Sequence, residues 1–310
     1  MHKRVMLIAG EASGDLHGAE LVQAIQARAP QARFLGIGGK AMADAGVDIR
    51  FDAAALSVVG ITEVVPKVPQ ILKGLRVVRR ILRQETPDLL ILIDFPDFNL
   101  MAAKAAKRAG VKVLYYISPQ VWAWRRGRVR TIARRVDHMA VILPFEADFY
   151  HQYGVPATYV GHPLLDQIAP PLSVSNVPEV SPAQATIALL PGSRNTEIER
   201  HLPLMLQSAA LLHTQLPSVR FIVALPEGSS PDALVPYRDR WPEGVDLQVS
   251  CAGARAVLPQ CQLALAASGT VTLEAALLGV PAVVVYRVST LSYLLGRLLI
   301  QVKYISLANL

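Results

Sequence analysis

The sequence predicts two doubly wound α/β domains in tandem, each built on a parallel sheet. Short aliphatic runs recur along the chain, and each is followed by a stretch with helical periodicity. The runs are continuous rather than alternating, as expected of strands buried on both faces. A polar, proline-rich break, PPLSVSNVPEVSPAQ at 170–184, separates two such series. The expected domains are therefore 1–169 and 185–310, joined by a linker at about 170–184, with a ligand cleft between them.

Composition permits this architecture. A chain of 310 residues, 52% hydrophobic and 18% charged, can fill two sizeable, mainly aliphatic cores. A formal charge of +7 and a pI of about 9.5 favour anionic partners. Cys251 and Cys261 have neither metal nor redox spacing and read as reduced thiols. The apolar stretch from Val5 to Gly10 is short and stopped by Glu11, so no secretion signal is expected. No uninterrupted apolar run reaches the roughly 18 residues of a membrane span.

RVMLIAG (4–10) is the first strand, and GEASGDLHG (10–18) opens a helix behind it. Glycines at such a turn allow a ligand to approach the backbone, and a helix N-terminus favours anions. Glu11 and Asp15 weigh against a plain phosphate cradle. Ser13 or Asp15 is the expected N-cap, and His17 is expected to pack rather than catalyse. ARFLGIGG (32–39) is the next strand. The stretch 56–84 then mixes Val, Ile and Leu with Lys67, Lys73, Arg76, Arg79, Arg80 and Arg83, with Glu63 as its lone acid. From Val68 to Arg83 it fits a helix with one apolar and one basic side. Such a helix either packs on the core with a basic outer face or lies in a membrane interface.

DLLILIDFP (88–96) is a buried strand running straight into Asp94. Open α/β sheets bind ligands outside the carboxyl ends of their strands. Pro96 stops the strand, and Asp97, directly before the helical FNLMAAKAAKRAG, is the expected cap. That leaves Asp94 for chemistry. VKVLYYISP (111–119), DHMAVILP (137–144) and ATYVGHP (157–163) complete the first series. Among them Arg125, Arg126, Arg128, Arg130, Arg134 and Arg135 crowd behind Trp122 and Trp124. No nucleic-acid-binding module accompanies them, so a solvated basic helix face, free or against anionic lipid, is expected.

TIALLPGSR (186–194) opens the second series. Arg194, at a strand end beside a helix start, suits a diphosphate clamp; the alternative is a surface pair with Glu197. VRFIVALPE (219–227) and DLQVSC (246–251) follow. QLALAASGT (262–270) ends in a Ser268-Gly269-Thr270 turn that presents backbone amides, and Glu274 lies beyond it in an otherwise apolar helix. A buried acid needs a partner. A ribose hydroxyl pair is one, by analogy with dinucleotide sites; otherwise Glu274 faces solvent. PAVVVYRV (281–288) is the last strand.

GEASGD (10–15), IDFPDFN (93–99), SPQVWAWR (118–125), LPFE (143–146), VGHP (160–163), LLPGSR (189–194), ASGTVTLE (267–274) and YISLANL (304–310) occur in that order along the whole chain. With these motifs the sequence resembles the lipid-A-disaccharide synthases, inverting glycosyltransferases of bacterial lipopolysaccharide synthesis. The resemblance implies a GT-B fold, two Rossmann-like domains flanking the active site. It implies UDP-2,3-diacylglucosamine as donor and 2,3-diacylglucosamine 1-phosphate (lipid X) as acceptor. The products are the β-1,6-linked disaccharide 1-phosphate and UDP, with no metal or other cofactor. It places the protein in the cytoplasm at the inner face of the inner membrane, on an anionic lipid surface, without a nucleic-acid partner. Asp94 becomes the catalytic base, and Glu11 and Ser13 belong to the functional loop. Arg194, with Ser193 beside it, meets the UDP diphosphate. Glu274 meets the uridine ribose next to the Ser268-Gly269-Thr270 turn, and Asn309 also binds substrate.

Two departures stand out. Ala308 occupies a position where the family usually has proline, and the chain stops at Leu310, short of the family's usual length. The second domain is thus expected to be incomplete, and a homodimer formed through the missing C-terminal segment is the assembly the family allows. Two other readings compete. A UDP-sugar 2-epimerase of the same fold would not need the 56–84 surface. A non-catalytic membrane-surface or nucleic-acid-binding protein led by the arginines would tolerate loss of Asp94 and bind with a steep salt dependence. A nicotinamide-dependent dehydrogenase is disfavoured, because no GxGxxG follows a strand.

Overall fold

The computed structural model describes residues 3–56, 64–124, 126–168 and 185–288. The expected linker at 170–184, Arg125 and Asn309 lie outside the described residues. The chain divides into two compact units, Met1–Pro163 and Leu164–Leu310.

The first unit runs β1 (Arg4–Ala9), α1 (Ala12–Arg28), β2 (Arg33–Gly38), α2 (Lys40–Asp44), β3 (Asp48–Asp52), α3 (Val64–Gln84), β4 (Leu89–Ile93), α4 (Pro96–Arg108), β5 (Lys112–Tyr116), α5 (Val129–Arg135), β6 (His138–Val141), α6 (Pro144–His151) and β7 (Ala157–Tyr159). Its seven strands lie in the order β3-β2-β1-β4-β5-β6-β7, with every pairing parallel. The chain starts in the middle of the sheet, runs outward to β3, crosses back through α3 and continues the other way from β4. The order therefore reverses between β1 and β4.

Burial explains why the central strands are uniformly apolar. Leu7, Ala9, Ile91 and Ile93 pack on one face against Ala19, Val22 and Met42 of α1 and α2. Met6, Ile8, Leu90 and Leu92 pack on the other against α3, α4 and α5, through Leu75, Val78, Phe98, Ala102, Ala106 and Ile132. No such run marks β3, DIRFD, and reading for continuous apolar stretches passes over it. It is an edge strand whose Asp48, Arg50 and Asp52 are exposed, while Ile49 and Phe51 are half-buried.

Helix α3 has the two sides read from its sequence. Leu75, Val78, Ile81 and Leu82 are buried, a contribution of about 1.5–3 kcal/mol for each fully buried side chain. Lys73, Arg76, Arg79, Arg80 and Arg83 are exposed. Val68 and Leu72 near its start are also exposed, at 44% and 47%. No described helix is long and apolar enough to cross a membrane.

The second unit runs α7 (Leu164–Gln167), β8 (Thr186–Leu190), α8 (Asn195–Gln215), β9 (Arg220–Ala224), β10 (Leu247–Ser250), α9 (Ala254–Val257), β11 (Leu263–Ala267), α10 (Thr270–Leu277) and β12 (Ala282–Val285). Its parallel sheet has the order β10-β9-β8-β11-β12, so the reversal falls between β8 and β11. Leu189, Phe221 and Val223 pack beneath Leu202, Met205 and Leu206 of α8. Both cysteines are free thiols. Cys261 is buried, and burial pushes its thiol up to about 11.

Candidate active site

In each unit the candidate residues gather where the strand order reverses, which is where open α/β sheets bind ligands. In the first, Ala9 pairs with Ile93 across β1 and β4, so Gly10–Glu11 and Asp94 leave neighbouring strand ends together. The Asp94 carboxyl is pushed up to about 6, chiefly by burial and then by the charge of Glu11; a hydrogen bond from the Phe95 backbone opposes the shift. Ser13, in the first turn of α1, is exposed.

The backbone here is unusual. Asp94 and Phe95 both adopt left-handed conformations, with φ of 42° and 48°, which β-carbon sterics disfavour in any residue but glycine. The Asp94 carbonyl is gripped from two sides: the Tyr115 hydroxyl donates to it at 2.6 Å and Asn99 Nδ2 at 2.7 Å. The turn also carries the Phe95 ring over Gly10, where a β-carbon would sit 2.1 Å from a ring atom. Gly10 is thus required by Phe95, a different reason from the ligand approach expected of it. Sequence reasoning missed both Asn99 and Tyr115. The available signal was Asn99 itself, a poor helix former inside an apolar helix.

Two expectations about helix caps are corrected. Asp97 does not cap α4: Phe95 occupies the N-cap, Pro96 the first helical position, and the Asp97 carboxylate pairs with the Arg128 guanidinium. Neither Ser13 nor Asp15 is the N-cap of α1, a position held by Glu11 without a side-chain cap bond. Asp15 instead caps α2, accepting from the backbone N–H of Gly39 (2.6 Å), Ala41 (2.9 Å) and Met42 (3.3 Å). The charge near a helix start is satisfied by amides more than twenty residues away, which local sequence does not announce. His17 is half-buried, with Nδ1 3.2 Å from Glu20 Oε2.

The tryptophan–arginine segment is only in part a solvated face. Trp122 is buried, donates from Nε1 to Glu146 Oε1 at 2.9 Å and stacks edge-on with Phe145. Glu146 is also buried and accepts from the Leu143 and Ile142 amides, while Ser118 and Tyr150 hydroxyls meet at 2.6 Å. SPQVWAWR and LPFE are therefore knitted into one buried polar network. The cations continue onto α4 and α5, where exposed Lys104, Lys107, Arg108 and Arg134 and half-buried Arg135 line a groove of about 420 Å³.

In the second unit Leu190 pairs with Ala266, which sets the Gly192-Ser193-Arg194 turn beside Ser268-Gly269-Thr270. Gly192 has φ 117°, and a β-carbon there would meet the Glu197 carboxylate at 2.5 Å. Glu197 Oε2 accepts from the Ser193 amide at 2.9 Å, and its Oε1 lies 3.2 Å from Arg194 Nη1. Arg194 is thus paired with Glu197, the alternative weighed from sequence, although its side chain remains 57% exposed. Glu274 does not face open solvent. Its side chain is 14% exposed and accepts from Arg255 Nε at 3.0 Å. Its burial therefore needs no ligand to explain it. His201 was also missed: buried on α8, it ties the Pro191 carbonyl (3.1 Å) to the Arg287 amide (3.1 Å), bracing the turn that carries Arg194. Among the described residues no cluster of three or more His, Cys, Asp or Glu could hold a metal ion.

The sequence profile of the family described as Lipid-A-disaccharide synthetase matches residues 5–310. The lipid-A-disaccharide synthase of Geobacter metallireducens is 46% identical over 312 residues, covering 100% of this chain and 81% of that protein. Among solved structures, UDP-GlcNAc 2-epimerase from Neisseria meningitidis, bound to UDP-GlcNAc, superimposes with a TM-score of 0.61 at 12% identity, over 92% of this chain and 83% of that one. The calicheamicin glycosyltransferase gives 0.56 at 15% identity, over 92% and 79%. At such identities the likeness shows the shared GT-B fold.

Proposed function

We propose a transfer mechanism for this chain from the premise that it belongs to the lipid-A-disaccharide synthetase family. It is a glycosyltransferase of lipid A biosynthesis, and a UDP-sugar is its donor. The finer assignment is that UDP-2,3-diacylglucosamine gives its glucosaminyl group to the 6-hydroxyl of 2,3-diacylglucosamine 1-phosphate. One observation carries it: Asp94, at the β1/β4 reversal, is a half-buried carboxylate whose proton affinity is raised to about 6. Such a group is ionised at neutral pH yet more basic than an ordinary aspartate, as a general base needs to be.

In this mechanism Asp94 takes the proton of the acceptor hydroxyl as its oxygen attacks the anomeric carbon. The new C–O bond forms on the face opposite the departing UDP, which leaves with the bonding electron pair, and configuration inverts. Arg194 gives up Glu197 for the diphosphate, and the Ser193 amide with the Ser268-Gly269-Thr270 turn at the start of α10 completes the anion's surroundings. Glu274, held by Arg255, receives the ribose. Glu11 keeps Asp94 basic, Ser13 follows Glu11 in the first turn of α1, and Asn309 contributes to substrate binding. The positive charge on the leaving group's side comes from side chains and dipoles, so no metal is assigned a step.

The exposed Val68 and Leu72, followed by the cations of α3, suit docking on an anionic bilayer that holds both lipid substrates. Work at the inner face of the inner membrane is part of this proposal. A homodimer is a further proposal.

The test is product identity. Incubation with both lipid substrates in detergent, without added metal, is expected to yield tetraacyl disaccharide 1-phosphate and UDP in equal amounts. Epimerised UDP-sugar in place of disaccharide would overturn the assignment.

A further inference from the structure

Three non-glycine residues with left-handed backbones cluster at the ends of β4 and β5: Asp94 (φ 42°), Phe95 (φ 48°) and Ile117 (φ 61°). Strained conformations of this kind persist only where the surroundings impose them. At Asp94 the imposing groups are visible. Asn99 and Tyr115 are both 0% exposed. The Tyr115 hydroxyl donates to the Asp94 carbonyl at 2.6 Å. Asn99 Nδ2 donates to the carbonyls of Asp94 at 2.7 Å and Ile93 at 3.1 Å, and the Asn99 amide donates to the Phe95 carbonyl at 3.1 Å.

Two features set this grip apart from ordinary packing. Among the described residues Asn99 Oδ1 is buried with no hydrogen-bond partner, a penalty that an apolar residue of similar shape would avoid. Tyr115 stays a donor at any working pH, because burial, and then the Asp94 charge, push its hydroxyl well above its usual range. Both side chains donate to the main-chain oxygen of Asp94, and Asn99 also holds the Ile93 carbonyl just before it.

We infer that Asn99 and Tyr115 are positioning residues for the transfer: their shared hold on the Asp94 carbonyl fixes the left-handed Asp94–Phe95 pair, and so fixes where the Asp94 carboxylate points and how far it is kept from water. The inference rests on the reading of Asp94 as the base. Released from the grip, the pair relaxes toward ordinary backbone angles, and the carboxylate turns toward solvent and away from the acceptor hydroxyl.

The experiment compares wild type, Tyr115→Phe, Asn99→Leu and Asp94→Asn. Tyr115→Phe removes one oxygen, and Asn99→Leu keeps the side chain's shape, so either can stand if the other fails to fold. The readouts are kcat, KM for each substrate, the pH profile and Tm. For both positioning variants kcat is expected to fall about tenfold to a hundredfold, with KM within about twofold. The acidic limb of the pH profile is expected to move down toward the ordinary carboxylate range as Asp94 regains water. A loss of Tm with kcat and the acidic limb unchanged overturns the inference and leaves the two residues structural. Activity that survives in Asp94→Asn overturns the base reading, and this inference with it.

Discussion

Glu11 and Asp94 leave the carboxyl ends of adjacent parallel strands, and the charge of Glu11 adds to burial in raising the Asp94 carboxyl to about 6. A raised carboxyl beside a second acid is the arrangement expected of a general base matched to neutral pH.

The pH dependence of transfer follows. The acidic limb of kcat/KM is expected near pH 6, activity rising as Asp94 ionises. Glu11→Gln removes the neighbouring negative charge and is expected to move that limb down. Initial rates between pH 4.5 and 8 in detergent-dispersed substrate check both statements.

Stability should move the opposite way from activity. The Asp94 carboxyl sits above its ordinary value of 3.8 in the folded protein, so the folded form binds that proton more tightly than the unfolded chain. Its favourable contribution is complete below the unfolded value and is lost as pH rises through about 6. Above that, ionised Asp94 costs stability on the order of 1–3 kcal/mol. Asp94→Asn is therefore expected to raise the urea midpoint at pH 8 and leave it nearly unchanged at pH 4.

Asp15 holds the start of α2 from a distance. Asp15→Ala leaves three amide donors at the start of α2 unmet. The expected loss is about 1–3 kcal/mol in denaturant unfolding. It should be accompanied by faster hydrogen exchange at Ala41 and Met42.

The exposed side of α3 should matter to membranes and not to folding. Val68→Ser with Leu72→Ser, and separately Arg76→Gln with Arg79→Gln and Arg80→Gln, are expected to weaken sedimentation with anionic vesicles. Each cation is worth roughly 1 kcal/mol near such a surface. The urea midpoints should stay at the wild-type value, since these side chains are exposed.

What the sequence revealed follows from the range of the interactions. Buried central strands are legible because both faces demand apolar residues, so LLILI and its terminal Asp94 could be placed directly. The edge strand β3 escaped because it has just two apolar residues, Ile49 and Phe51, set on either side of a bulge so that each meets a different core. The site's supports escaped because they are long-range. Tyr115 reaches Asp94 from the next strand, Asp15 caps a helix in the next βα unit, and Arg255 neutralises Glu274 from a separate helix. Asp97 misled for a local reason: capping preference is a rule for ordinary helix starts, and α4 begins from a left-handed phenylalanine. The family motifs marked positions without saying which of them, like Trp122 and Glu146, belong to a buried framework.

The measurement that tests the central claim most directly is single-turnover disaccharide formation by wild type and Asp94→Asn, made in the chain as it stands and extended to its relatives' full length. Folding is confirmed by circular dichroism, and donor affinity is measured in parallel. The account expects Asp94→Asn to bind UDP-sugar like wild type while the transfer rate falls by at least about 10²-fold. Transfer by the variant within a few-fold of wild type would contradict it.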